Sequence, residues 1–195
     1  MKIQISSLAM VISLVVFTAP QVFAKVDTAT TAVVLVDMQE GFYERGGVTG
    51  TPGLESLVKK QMELLNWAAT QNVPVMIFEY DGFGATDPRL TDILKGHETK
   101  SLTKFNDNGF TNPSKKPAVA YLKSLKVKTL IMAGINGAYC VHDTATGAIS
   151  SGFDVVTSSD IVGNLNQNPP IYPNNTWYFK NNKLEILPNL NAILY

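Results

Sequence analysis

Runs of β-branched and other apolar residues recur along the chain with helical patterns between them. The first run, Thr31 to Asp37, is continuous rather than alternating, which is typical of a central strand of a parallel sheet. Similar runs predict strands at Val73 to Tyr80, Val127 to Ala133 and Phe153 to Ser159, and a short edge-like strand is predicted at Lys100 to Lys104. Strands that alternate with helices at this rhythm indicate a parallel sheet connected by right-handed crossovers.

The segments between these strands carry helix signals. Apolar residues at helical spacing follow Thr51-Pro52-Gly53 and end near Asn72, and a short helix is predicted at Arg89 to Lys95. Ser114 is suited to cap a helix that runs to about Leu125, and Tyr139 to Ser151 is the last predicted helix. We therefore expect an α/β fold of three layers, a mostly parallel sheet with helices on both faces, in one domain at residues 25–195.

The tail from Gly163 is rich in asparagine, proline and aromatic residues. Trp177 to Phe179 and Leu184 to Leu187 are separated by Asn181-Asn182. They fit a hairpin, and one more strand of the sheet is an equally open interpretation.

Residues 1–24 have the pattern of a signal peptide. Lys2 is followed by the apolar run Leu8 to Phe17, and Val22-Phe23-Ala24 is a small-residue processing site. The run is shorter than the roughly 20 residues that cross a bilayer, and Pro20 interrupts it. We expect cleavage after Ala24 and export of the protein to the periplasm or the medium, with no membrane attachment afterwards.

The charge balance narrows the class of partner. Lysine plus arginine and aspartate plus glutamate number 16 each, so no global field favours binding to nucleic acid. No glycine-rich turn follows the first strand, so the sequence does not favour nucleotide binding either. A small-molecule substrate is the partner that this composition favours.

The chain has one cysteine, Cys140, which has no partner for an internal disulfide. Without further context a lone cysteine is most often a small buried hydrophobic residue. A redox role is disfavoured because there is no resolving cysteine. The function of Cys140 must therefore be judged from its position in the fold.

Three chemically distinct groups are predicted to meet where open α/β sheets bind ligands, beyond the carboxyl ends of the strands. Asp37 ends the first strand, Lys104 ends the edge strand, and Cys140 follows a strand through a glycine-containing loop. Taken singly, the aspartate fits a turn cap and the lysine a solvated surface charge. At the start of a helix and beside a lysine, the Cys140 thiolate is favoured.

The ordered motifs around these residues resemble a known family. Val36-Asp37-Met38-Gln39 is followed by Phe42, Lys104 is followed by Phe110, and the third motif is GINGAYCVHDTA, Gly134 to Ala145. Together these motifs resemble the isochorismatase-like cysteine hydrolases, a group that contains nicotinamidases and N-carbamoyl amidases. The resemblance spans about Thr31 to Val162.

This resemblance implies a role for each matching residue. Asp37 would be the general base, Lys104 its charge partner and Cys140 the nucleophile. A cis peptide at Ile135-Asn136 would shape the loop before the cysteine, and the amides of Asn136 and Cys140 would form the oxyanion hole. The side chains expected to line the substrate are aromatic: Phe42, Tyr80, Phe110 and Tyr139, with Phe83 as a further wall.

The departures from the family pattern bear on the substrate. Metal-dependent nicotinamidases carry an aspartate and histidine cluster after the second strand, whereas this chain has Glu79 to Gly84 there and only His97 and His142 in total. We therefore expect no metal and no other cofactor. Cys140 favours an amide-type substrate, cleaved through a thioester. A non-catalytic protein that binds a small ligand and an isochorismatase-type ether hydrolase remain alternatives, and the resemblance implies a homo-oligomer.

Overall fold

The computed structural model describes residues 26–164 and 184–195. The predicted signal peptide and the Trp177 to Phe179 half of the predicted hairpin lie outside these residues. Within the described helices, none is long and apolar enough to cross a membrane.

The described residues form an α/β fold built on a seven-stranded sheet. Its strands run in the order β3-β2-β1-β4-β5-β7, β6 pairs with β4, and every pairing is parallel. The strands are β1 (Thr31–Val36), β2 (Val75–Tyr80), β3 (Thr99–Lys104), β4 (Thr129–Ile135), β5 (Asp154–Ser158), β6 (Val162–Gly163) and β7 (Leu184–Leu187). The predicted sheet is confirmed, and β3 is the edge strand that the sequence indicated.

The central strand β1 shows why the apolar runs are continuous. All six of its residues are buried. Since successive side chains of a strand point to opposite faces of the sheet, both faces at β1 must be covered. β1 pairs with β2 on one side, Val33 opposite Val75, and with β4 on the other, Leu35 opposite Ala133.

Helices connect and cover the strands. They are α1 (Glu40–Arg45), α2 (Pro52–Thr70), α3 (Pro88–Thr91), α4 (Lys115–Ser124), α5 (Cys140–Ser150) and α6 (Leu190–Leu194). In α2 the Thr51 hydroxyl accepts a hydrogen bond from the Leu54 amide, and Pro52 occupies the first turn, where no amide hydrogen is needed. α5 contacts β1, β4 and β5, so it lies over the middle of the sheet.

Two local features differ from the sequence-based expectation. Ser114 precedes α4, but its hydroxyl makes no capping bond and donates instead to the carbonyls of Gly109 and Thr111. It therefore holds the preceding loop rather than the helix. Leu184–Leu187, for which hairpin and sheet strand were both open, is a strand of the parallel sheet beside β5. The short elements α1, β6 and α6 were not predicted.

Gly134 shows how closely β4 approaches β1 where both strands end. It pairs with Val36, and a Cβ atom at this position would overlap the Val36 carbonyl oxygen. Its φ of 137° is also one that L residues with side chains rarely adopt. Glycine therefore lets the strand bearing the cysteine loop lie against the strand bearing Asp37.

Candidate active site

Asp37 and Lys104 form a buried ion pair at the carboxyl edge of the sheet. Lys104 Nζ lies 2.8 Å from Asp37 Oδ2, and both side chains are 0% exposed. The two residues stand on β3 and just after β1, with β2 between them. Neighbouring strands are about 4.8 Å apart, so β1 and β3 lie roughly 10 Å apart, a distance covered by the two side chains together with the contact between them. The length of the lysine side chain is what allows this contact.

The backbone at Asp37 holds an uncommon conformation. Its φ is 54°, in the left-handed region, which aspartate adopts more readily than most residues with side chains. The Asp37 amide donates a 2.9 Å hydrogen bond to the Phe78 carbonyl, so the residue is still attached to the sheet. The backbone therefore turns away from the direction of β1 at Asp37 itself, directly after the last residue of the strand.

Cys140 begins α5 and is 4% exposed. Its Sγ lies 3.5 Å from Oδ1 of Asp107, a residue that the sequence analysis did not identify. The negative charge of Asp37 also acts on the thiol and raises its pKa. The sulfur therefore lies beside two carboxylates, one fully buried and one half-buried.

The protonation states of this cluster differ from the expectation for Cys140. Burial, followed by the Asp37 charge, raises the pKa of the thiol well above its usual range, although Lys104 acts in the opposite direction. The thiol is therefore neutral at pH 7, and the expected stabilisation of a thiolate is wrong for this resting site. Burial also raises the pKa of Asp37, to about 6, against the lowering effect of Lys104. At neutral pH Asp37 is mostly ionised and able to accept a proton.

The loop between β4 and α5 contains both bonded amides and amides with no acceptor in the described residues. The Ile135-Asn136 peptide bond is cis. The Gly137 amide donates to the Gly163 carbonyl and the Ala138 amide to Asn164 Oδ1. In the described part of the chain, no acceptor is found for the amides of Asn136 and Cys140. These two amides therefore keep their hydrogens available for an oxyanion, the role that the resemblance implied for them.

Three aromatic rings lie together beside the ion pair. Phe42 and Phe83 are stacked with their centroids 4.0 Å apart, and Tyr80 lies edge-on to both rings at 5.8 and 5.7 Å. Lys104 Nζ is 4.2 Å from the centroid of the Tyr80 ring. This contact is a cation–π interaction that holds Tyr80 next to the charged groups. The structure thus places Phe42 and Tyr80, two of the residues expected to line the substrate, in one aromatic cluster.

The other two predicted substrate-lining residues lie elsewhere. Phe110 is 2% exposed, and its ring packs against Phe78 and Phe153 at centroid distances of 5.5 and 6.0 Å. This position in the core does not support a role in lining a substrate. Tyr139 immediately precedes Cys140 in the chain and is 60% exposed.

Gln39 organises the loop behind the aromatic rings. It is fully buried, its Oε1 accepts from the Tyr80 amide at 2.7 Å, and its Nε2 donates to the carbonyls of Tyr80 and Gly84. The sequence analysis noted Gln39 only as part of a motif. Its role depends on pairing with a loop more than 40 residues away, for which the local sequence contains no signal.

Metal binding has no candidate donor set here. Across residues 26–164 and 184–195, no three His, Cys, Asp or Glu side chains are grouped so that they could hold a metal ion.

Solved structures with the same fold include several hydrolases. Nicotinamidase PncA from Bacillus subtilis superposes with a TM-score of 0.65 at 17% identity, over 80% of this chain and 98% of that one. YcaC from Escherichia coli, an octameric hydrolase of unknown specificity, superposes with a TM-score of 0.64 at 23% identity, over 84% of this chain and 78% of that one. An isochorismatase family protein from Burkholderia thailandensis superposes with a TM-score of 0.68 at 18% identity, over 87% of this chain and 95% of that one. At these identities the similarity establishes the fold.

The family assignment comes from the sequence itself. No curated protein matches the chain significantly. The isochorismatase domain model, however, matches residues 31–170, a span that contains all three residues of the Asp37, Lys104 and Cys140 cluster. The chain therefore belongs to the isochorismatase family of hydrolases.

Proposed function

We propose that the protein is a cysteine hydrolase that cleaves a small amide, with Cys140 as nucleophile, Asp37 as general base and Lys104 as the cation that keeps Asp37 ionised. The observation that carries the proposal is the buried contact of 2.8 Å between Lys104 and Asp37 beside the only thiol of the chain. An isolated buried carboxylate would be protonated at neutral pH, whereas this one is not.

The proposed reaction begins with proton transfer. Asp37 takes the proton of the neutral thiol while Sγ attacks the carbonyl carbon of the substrate, and the amides of Asn136 and Cys140 stabilise the oxyanion. The protonated Asp37 then donates its proton to the leaving amine as the C–N bond breaks. Water hydrolyses the resulting thioester on Cys140, again with Asp37 as base, and releases the acid.

The aromatic cluster supports a small and mainly neutral substrate. Phe42, Tyr80 and Phe83 offer apolar surface beside the ion pair. A neighbour of this fold, YcaC from Pseudomonas aeruginosa, was solved with covalent acrylamide. We propose that a small primary amide of similar size enters this site.

A panel of small primary and N-substituted amides tests the proposal. We expect ammonia or amine release from some members, and mass spectrometry of the quenched enzyme should show one acyl group on the peptide that contains Cys140. Acrylamide should give one adduct on the same peptide. Absence of both turnover and acyl-enzyme across the panel would contradict the proposal.

The pH dependence follows from the Asp37 carboxyl group. Because its pKa is raised to about 6 and the base must be ionised, kcat/KM should fall about tenfold per pH unit below that value. The thiol, with its raised pKa, stays protonated through neutral pH, so no second limb is expected between pH 7 and 8.5. Initial rates from pH 4.5 to 8.5 measure the profile, with intrinsic tryptophan fluorescence as a control for unfolding. If kcat/KM decreased only below about pH 4, or did not decrease at all on the acid side, this role for Asp37 would be excluded.

We propose that the mature protein starts at Lys25 after removal of the signal peptide and acts outside the cytoplasm. The support is the sequence pattern of residues 1–24. N-terminal sequencing of protein recovered from the periplasm or medium tests this.

We also propose that the protein forms a homo-oligomer. Phe105 and Tyr139 are 54% and 60% exposed, and exposed aromatic side chains of this size are enriched in protein interfaces. Analytical ultracentrifugation of the mature protein measures the assembly state, and a monomer at micromolar concentration would rule the oligomer out.

A further inference from the structure

Asp107 contacts the reacting sulfur but has no part in the reaction described above. Its Oδ1 lies 3.5 Å from Cys140 Sγ, and its side chain is only half-buried. It therefore contacts the nucleophile and solvent at the same time. Asp37 is fully buried, so of the two carboxylates beside the sulfur Asp107 is the one whose charge is open to an approaching molecule.

The loop around Asp107 is held on both sides, so the position of the carboxylate is fixed. Lys104 Nζ donates to the Asn106 carbonyl at 3.0 Å. On the other side, the Thr144 hydroxyl donates to the Asp107 carbonyl at 3.2 Å and accepts from the Gly109 amide at 3.0 Å. One end of the loop is thus attached to the buried ion pair and the other to helix α5, which bears the nucleophile.

The charges of the site do not cancel. Lys104 neutralises Asp37 at 2.8 Å, and no salt bridge in the described residues involves Asp107. The Arg45 guanidinium lies against the Phe83 ring, 5.4 Å from its centroid, and forms no salt bridge with Asp107. With two carboxylates and one ammonium group around the sulfur, the site has a net negative charge.

We propose that Asp107 is a specificity-determining residue, which selects small amides with a positively charged or N–H-rich group next to the scissile carbonyl and rejects amides with a carboxylate there. This inference rests on the proposed amide hydrolysis. A carbonyl carbon attacked by Sγ lies within reach of the Asp107 carboxylate, so a substituent one or two bonds away meets its charge. A half-buried carboxylate attracts a cation and repels an anion more strongly than one in bulk water.

Three amides of nearly equal size test the selection: glycinamide is cationic, propionamide is neutral and malonamate is anionic at pH 7. For the wild-type enzyme we expect kcat/KM to decrease in this order, with about tenfold between successive members. In Asp107→Asn the values of kcat/KM for glycinamide and malonamate should differ by less than threefold. Asp107→Glu should restore the wild-type difference. Asp154→Asn, an exposed aspartate at the opposite edge of the sheet, is the matched control and should keep the wild-type order.

A second measurement does not depend on amide turnover. Iodoacetamide and iodoacetate alkylate Cys140 by the same displacement, in which an S–C bond forms, iodide leaves and the thiol proton is released. Relative to N-acetylcysteine, the wild-type protein should favour the neutral reagent over the anionic one by a further tenfold, and Asp107→Asn should lose this preference. Intact mass gives both rates because the chain has one cysteine.

The two measurements separate this inference from the proposed function. Charge selection in alkylation without hydrolysis of any amide would contradict amide hydrolysis and support the role of Asp107. Hydrolysis with an unchanged order of the three amides in Asp107→Asn would overturn the role of Asp107 and leave the hydrolase proposal intact.

Discussion

Replacing Cys140 by serine is expected to lower kcat on the amide substrate on the order of 10⁴-fold or more, since loss of a catalytic nucleophile has effects of this size. Serine is close to cysteine in volume, so the 4% exposed site should keep its packing. The hydroxyl is a much weaker acid than the thiol, and Asp37, with a pKa of about 6, is too weak a base to activate it. The measurement is kcat for the mature wild-type and variant proteins at pH 7.5.

Two controls make the serine variant decisive. Thr146→Ala changes the exposed face of the same helix and should leave kcat within about twofold, because its side chain points to solvent. Urea unfolding should place Cys140→Ser within about 1 kcal/mol of the wild type. A variant that binds substrate and still turns it over at a tenth of the wild-type rate would remove Cys140 from the chemistry.

The sheet could be predicted from the sequence because its signal is local and strong. A run such as Thr31 to Asp37 has one physical explanation, a strand covered on both faces, and parallel strands bring their carboxyl ends to one edge. Asp37 and Lys104 could be expected to meet there, although two strands apart, because a lysine is long enough to cross the strand between them. The position of Cys140 at the same edge could be predicted because it follows β4 through a short glycine-containing loop.

The protonation state of the thiol could not be predicted in the same way. The sequence places Cys140 at a helix start near a lysine, and both features favour the thiolate. Burial and the Asp37 charge act in the opposite direction and dominate. The balance depends on how completely the side chains are enclosed, a property of the tertiary structure. As a result the proposed mechanism requires general-base assistance by Asp37 and not a preformed thiolate.

Asp107 and Phe110 lie in a segment, Asn106 to Pro113, that the sequence shows only as turn-forming. The direction of each side chain there depends on hydrogen bonds to distant groups, such as the Thr144 hydroxyl bound by the Gly109 amide. These contacts turn Asp107 toward the sulfur and Phe110 into the core. A turn signal fixes that the chain reverses but not which side chain faces the site.

Replacing Lys104 by methionine is expected to destabilise the protein by about 3 kcal/mol at pH 8 and to lower kcat/KM by about 10²-fold at pH 7. Methionine fills similar space, but the Asp37 carboxylate is left buried without its cation. Lys104 lowers the pKa of Asp37, so its removal raises that pKa further above 6 and protonates the base. A 10²-fold loss at pH 7 corresponds to a rise of about three units in the pKa of Asp37, so the acid limb of the activity profile should move to higher pH by about that much.

The stability loss in this variant has a definite pH dependence. A carboxyl group whose pKa is raised on folding stabilises the folded state below its unfolded pKa, 3.8, and loses that contribution as pH rises through the folded value. The cost of Lys104→Met should therefore be larger at pH 8 than at pH 5 in urea unfolding. An equal cost at both pH values would show that Lys104 acts only through packing.

The double variant Asp37→Asn/Lys104→Met separates pairing from catalysis. It leaves no unpaired buried charge at this ion pair, so its loss of stability should be smaller than the sum of the two single losses by about 1–3 kcal/mol. Activity should not return, because the base is absent. Recovery of stability without recovery of kcat/KM would show that the ion pair is held in the core for chemistry rather than for folding. Additive stability losses would mean that the 2.8 Å contact contributes little to holding Asp37 ionised.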